Sequence, residues 1–96
     1  MSGFDRGAIC DAIKGRRVVE FTYKMERRLV EPHLLGYDRD GDLTLSAWQT
    51  SGTRPGWRDF HLAKLTGLTT TGQSFSGARP GYNPHDTTLQ QVVCRV

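Results

Sequence analysis

The chain has 96 residues, room for one domain and not two, and a chain this short buries only roughly 60 to 65 % of its unfolded surface. A hydrophobic share of 36 %, a mean hydropathy of -0.51 and eleven glycines describe a small, loop-rich barrel or α+β domain better than a tightly packed enzyme. No apolar run approaches the ~18 to 20 residues of a membrane span, so a soluble protein without membrane attachment is expected, and the net charge of +3 says little until its distribution is read.

Phe4 to Lys14 reads as a helix, because Phe4, Ala8, Ile9, Ala12 and Ile13 recur at helical spacing; Ser2 or Asp5 suits the cap and Gly15 the end. Arg17 to Tyr23 alternates Val19, Phe21 and Tyr23 with Val18, Glu20 and Thr22, the pattern of a strand. A polar turn over Lys24 to Arg27 leads into a second strand, Arg28 to Tyr37, in which Pro32 marks an edge, a bulge or a bend. Asp38 to Asp42 is a hairpin connection, its Asp40-Gly41 pair supplying the positive φ such turns need. Leu43, Leu45 and Ala47 alternate with Thr44, Ser46 and Trp48 in a third strand. Gln49 to Gly56 is a loop by composition, and Trp57 to Leu62 and Lys64 to Thr70 read as two more strands.

From Thr71 the pattern weakens. Ala78 to Pro84 excludes a regular element, and only Leu89 to Val96 regains strand character. The expected fold is mainly β: a small SH3-like or Sm-like five-stranded antiparallel barrel with an N-terminal helix. In this layout one domain covers 1–96, with the helix at 4–14, the barrel at about 17–70 and an irregular extension at 71–96. A helix on a flatter antiparallel sheet is the competing architecture. Ile9, Ile13, Val19, Phe21, Val30, Leu45, Phe60 and Leu62 are the expected core.

Cys10 and Cys94 stand in no metal-ligand or redox spacing, and no leader-like segment precedes them, so free thiols in a reducing cytoplasm are expected over a disulfide joining the termini. His33, His61 and His85 have no carboxylate or cysteine at the spacing of a zinc site or of a nucleophile with its base. No glycine run forms a phosphate-cradling loop. Catalytic residues, metal ligands and cofactors are therefore expected to be none.

The basic residues point to binding. Ten of the thirteen cations are arginine, the side chain that forks onto phosphate and carboxylate oxygens, and Lys14, Arg16, Arg17, Lys24, Arg27 and Arg28 crowd a segment whose acids are Glu20 and Glu26. A solvated face is the competing reading of that run. The segment Gly56-Trp57-Arg58-Asp59-Phe60-His61-Leu62-Ala63-Lys64-Leu65 then interleaves cations with apolar residues. Arg28, Trp48, Gln49, Arg58, His61 and Lys64 offer guanidinium forks, a stacking face and an amide, a set suited to a phosphate and a base.

The runs "AIKGRRVVEFTYKMERRLVEPHLLGY", "GDLTLSAWQTSG" and "RDFHLAKLTGL" resemble the WYL domain over about residues 8–70, and the "ARPGYNP" tail is similar to that of short stand-alone members. The resemblance implies an Sm-like barrel serving bacterial transcription regulation as a ligand-sensing or nucleic-acid-binding module, and the cysteine and catalytic-residue readings add that it is expected to be cytoplasmic and non-enzymatic. By position it carries over Tyr23 as the strand-ending tyrosine, Arg28 before Val30-Glu31-Pro32, Arg58 and His61 flanking Phe60, and Lys64 closing the segment. The signature tryptophan and tyrosine are replaced by Leu43 and Thr44. The expected ligand is a nucleotide, an oligonucleotide or single-stranded nucleic acid. The alternative is a protein-interaction module that joins a regulatory partner or its own copy through exposed barrel edges.

Overall fold

The computed structural model describes residues 3–52, 54–85 and 88–96, with residues 3 and 4 as backbone only. Ser2, the side chain of Phe4 and Thr53 thus lie outside the described residues. The elements are α1 (Gly3–Gly15), β1 (Arg17–Tyr23), β2 (Glu26–Asp38), β3 (Leu43–Gln49), β4 (Gly56–His61), a short 3-10 helix (Leu62–Lys64), β5 (Thr66–Ser74) and β6 (Leu89–Arg95).

All strand pairs are antiparallel, in the order β4-β3-β2-β1-β5, with β6 added to β2. The sheet is not closed, since β4 and β5 each have one neighbour, and it has six strands where five were expected. The long β2 makes room for the sixth. One of its edges carries β3, and the other carries β1 along Glu26–Val30 and then β6 along Leu34–Asp38.

The sheet is nevertheless strongly curled. In a flat sheet β1 and β4 would lie about 14 Å apart, three strand spacings. Yet the Phe21 and Phe60 rings meet edge to face at 4.9 Å and Tyr23 meets Phe60 at 5.0 Å. The concave inner face closes around these rings, and α1 covers it with Ile9, Ala12 and Ile13. Every residue expected in the core is buried.

Three local differences from the sequence reading have physical causes. The β1–β2 turn is only Lys24 and Met25, both at positive φ (51° and 65°), the two-residue geometry that matches strand twist, so β2 starts earlier than expected. Beyond α1 the left-handed residue is Arg16, at φ 54°, and not Gly15. Burial of Leu62 winds Leu62–Lys64 into a helical turn, which moves the start of β5 to Thr66.

In the tail, the strand character of Leu89 to Val96 is realised as β6. β6 runs so close to β2 that a Cβ at Gly36 would sit 2.6 Å from the Gln91 carbonyl oxygen, so glycine is required there. With α1 lying beside β6, Cys10 and Cys94 come to a Cα–Cα distance of 5.7 Å and form a disulfide. This corrects the expectation of free thiols: the fold brings the two ends of the chain together, and the thiol argument for a reducing cytoplasm falls away. No helix of the described residues is long and apolar enough to cross a membrane.

Candidate functional site

Six of the seven side chains singled out in the sequence stand on strands and divide between the two faces of the sheet, while Lys64 ends the 3-10 turn. Strand register places Arg58 opposite Ala47 and Gln49 opposite Val30 and Gly56, so Arg28, Gln49 and Arg58 share the parity of the core residues Val30, Ala47 and Phe60. Trp48 and His61 have the other parity and belong to the outer face.

Tyr23, Arg28 and Gln49 form one hydrogen-bonded cluster at the open end of the inner face. Arg28 Nη1 donates to Gln49 Oε1 (2.9 Å) and Nη2 to the Tyr23 carbonyl (3.3 Å), while Gln49 Nε2 donates to the Ser51 carbonyl (3.2 Å). The guanidinium sits 5.9 Å from the centroids of both the Tyr23 and the Phe60 ring, within cation–π range. Its acidic partner is Glu26 at 3.6 Å, itself 71 % exposed and thus mostly in water. Arg28 Nε is buried without a hydrogen-bond partner. Arg58 flanks Gln49 on the same face but turns its guanidinium onto the Trp57 and Arg54 carbonyls at 3.0 and 2.8 Å. The Tyr23 hydroxyl accepts the His61 backbone N–H at 3.3 Å, which fixes the end of β4 against β1.

The rest of the basic run is divided. Lys24 Nζ lies 5.8 Å from the Tyr23 ring, whereas Arg27 bonds Glu20, Thr22 and the Gly67 carbonyl and Arg17 bonds the Gly72 carbonyl, tying β5 to the β1–β2 hairpin.

The outer face holds a second constellation that the sequence reading missed. Glu31, buried in β2, takes a two-pronged contact from Arg79 of the tail at 2.7 and 2.9 Å, and that guanidinium also lies 5.2 Å from the Trp48 ring. His33 is fully buried. Its Nδ1 donates to the Glu31 carbonyl (2.8 Å) and its Nε2 accepts the Arg79 backbone N–H (3.1 Å), which sets the neutral tautomer. Burial pushes the His33 pKa below its ordinary value. Phe75, Trp57 and Tyr82 pack around the imidazole at 4.9 to 5.2 Å. Beside them, Ser46, Trp57, Tyr82 and Asn83 line a groove of about 350 Å³, and Arg58, although of inner parity, lines it too. The available signal was the polar pair Glu31 and His33 flanking Pro32 in the otherwise apolar run from Leu29 to Leu35.

His61 and Lys64 go to a third place. With Tyr37, Asp42, Leu43 and Ala63 they line a cavity of about 360 Å³, and His61 Nε2 lies 3.5 Å from Asp38 Oδ2. The expected seven-residue site is therefore an inner cluster of Tyr23, Arg28 and Gln49 with Arg58 alongside, Trp48 on the opposite face, and a separate corner with His61 and Lys64.

Comparison with known proteins finds no match to a family model, a curated protein or a solved structure.

Proposed function

We propose that this chain is a non-enzymatic ligand-binding module, a WYL-like domain on an SH3-like or Sm-like barrel, that takes a nucleotide, an oligonucleotide or single-stranded nucleic acid at the Arg28 end of the inner face. The curling that brings Phe60 of β4 onto Phe21 and Tyr23 of β1 supports the barrel class, as does the 3-10 turn leading from β4 to β5. The observation that carries the ligand is Arg28, a cation set between two aromatic rings, bonded to neutral groups and balanced by one exposed carboxylate. An anion replaces Glu26 at small cost there, and Tyr23 and Phe60 hold the fork in place.

Titration with nucleotides and short single-stranded DNA, read by calorimetry and repeated at rising salt, tests this reading. Arg28→Ala and Arg58→Ala should each weaken an anionic ligand by about 1.5 to 3 kcal/mol, the range for hydrogen bonds to charged groups. Arg39→Ala, on the exposed Asp38–Asp42 turn, should change affinity little. Saturable binding that none of the three changes removes the reading, as does binding indifferent to salt.

A second reading, docking to a protein or to another copy, has its own support in β5. This strand of nine residues, Thr66–Ser74, lies at a sheet end, carries no charged residue or proline and is mostly exposed. A concentration-dependent mass in sedimentation, lost on Thr70→Lys, would favour it.

A further inference from the structure

We propose that Asp38, Asp42 and His61 form a binding site for a divalent transition-metal ion such as Zn2+, at the corner where the β2–β3 hairpin meets the end of β4. One carboxylate oxygen of each aspartate and one imidazole nitrogen lie within 4.8 Å of one another. The three residues belong to two chain segments, the hairpin and β4, so local sequence does not account for the convergence.

The spacing suits a shared ion better than the contacts present. His61 Nε2 and Asp38 Oδ2 are 3.5 Å apart and Thr44 Oγ1 is 3.4 Å from the same oxygen, both long for a hydrogen bond. Two ligands on one tetrahedral ion, each bonded at 2.0 to 2.2 Å, sit roughly 3.3 to 3.5 Å apart. Asp38 Oδ1 accepts the Asp40 and Asp42 backbone N–H groups, both at 2.9 Å, which holds the carboxylate with Oδ2 toward His61. Asp42 is exposed at the hairpin end, and with the three donor atoms spread over as much as 4.8 Å its carboxylate has to close in to complete a third bond. The adjoining cavity of about 360 Å³ leaves the remaining coordination positions open to water or a small ligand. Lys64 lines the same cavity as the competing cation, and the site is distinct from Arg28 and independent of the ligand proposed there.

The test uses the full chain, first treated with chelator and then titrated with ZnCl2 in a calorimeter. One equivalent should bind saturably. His61→Ala and Asp38→Asn should each weaken that event by roughly tenfold or more, whereas His85→Ala and Lys64→Ala should not. Asn retains the oxygen that accepts the two backbone N–H groups, so the hairpin should persist, and unchanged circular dichroism checks this. Independently of any variant, the ring-nitrogen NMR signals of His61 should move on Zn2+ addition while those of His33 stay. Absence of saturable binding overturns the site, and so does loss of binding in His85→Ala or Zn2+-dependent shifts confined to His85.

Discussion

The two faces of the sheet each keep an arginine at a buried acceptor, but they balance its charge differently. On the outer face Arg79 and Glu31 satisfy one another through two short contacts, and both nitrogens of His33 are spent. On the inner face Arg28 bonds an amide and a carbonyl, leaves Nε unpaired and has its acid out in solvent. A fully matched network holds the tail on the sheet; an incompletely matched cation keeps capacity for something else. The conspicuous aromatic and ionic cluster is therefore the structural one, and the plainer cluster is the candidate for binding.

The largest effect should come from removing the floor that the inner cluster stands on. Phe60 is buried, meets Phe21 and Tyr23 edge to face and lies under Arg28. Phe60→Ala should cost about 3 to 5 kcal/mol in urea unfolding. A loss under about 1 kcal/mol would mean that β4 and β1 are not joined through this ring and that the curl has other support.

The outer face should show itself through pH. A protonated His33 cannot accept the Arg79 N–H, and its folded pKa lies below the ordinary 6.5. The unfolded chain therefore takes up the proton first, and stability is fully present above pH 6.5 and declines as pH falls from there toward the folded pKa. The slope is at most about 1.4 kcal/mol per pH unit for one group. Unfolding midpoints between pH 7.5 and 5 should follow this decline, and His33→Gln should flatten it. An unchanged slope in that variant would assign the acid sensitivity elsewhere.

Both predictions depend on contacts the sequence displays unequally. Alternation within Arg17–Tyr23 marked β1 at its full length, and the buried positions from Ile9 to Leu62 followed from the same periods. The division of the site was harder to see, because Trp48 and Gln49 are consecutive in β3 and a strand sends consecutive side chains to opposite faces. His61 differs from Arg58 by an odd step for the same reason. The outer network joins Glu31 and His33 to a tail more than forty residues on, through an irregular segment with no period to read. Cys10 and Cys94 likewise meet only because α1 crosses beside β6.

The smallest predicted effect distinguishes the faces most directly. Glu26 is the acid nearest Arg28, at 3.6 Å and largely in water, so the pair contributes within the 0 to ~1 kcal/mol of surface ion pairs. Glu26→Gln should leave the melting temperature almost unchanged, since Arg28 keeps its bonds to Gln49 and Tyr23. It should also tighten a phosphate-bearing ligand, because the anion no longer displaces a carboxylate. The corresponding change on the outer face, Glu31→Gln, removes the charge that holds Arg79 and should lower the melting temperature without improving any ligand. If Glu26→Gln destabilises the fold as much as Glu31→Gln, the inner cation is as structurally committed as the outer one, and Arg28 is a strut and not a site.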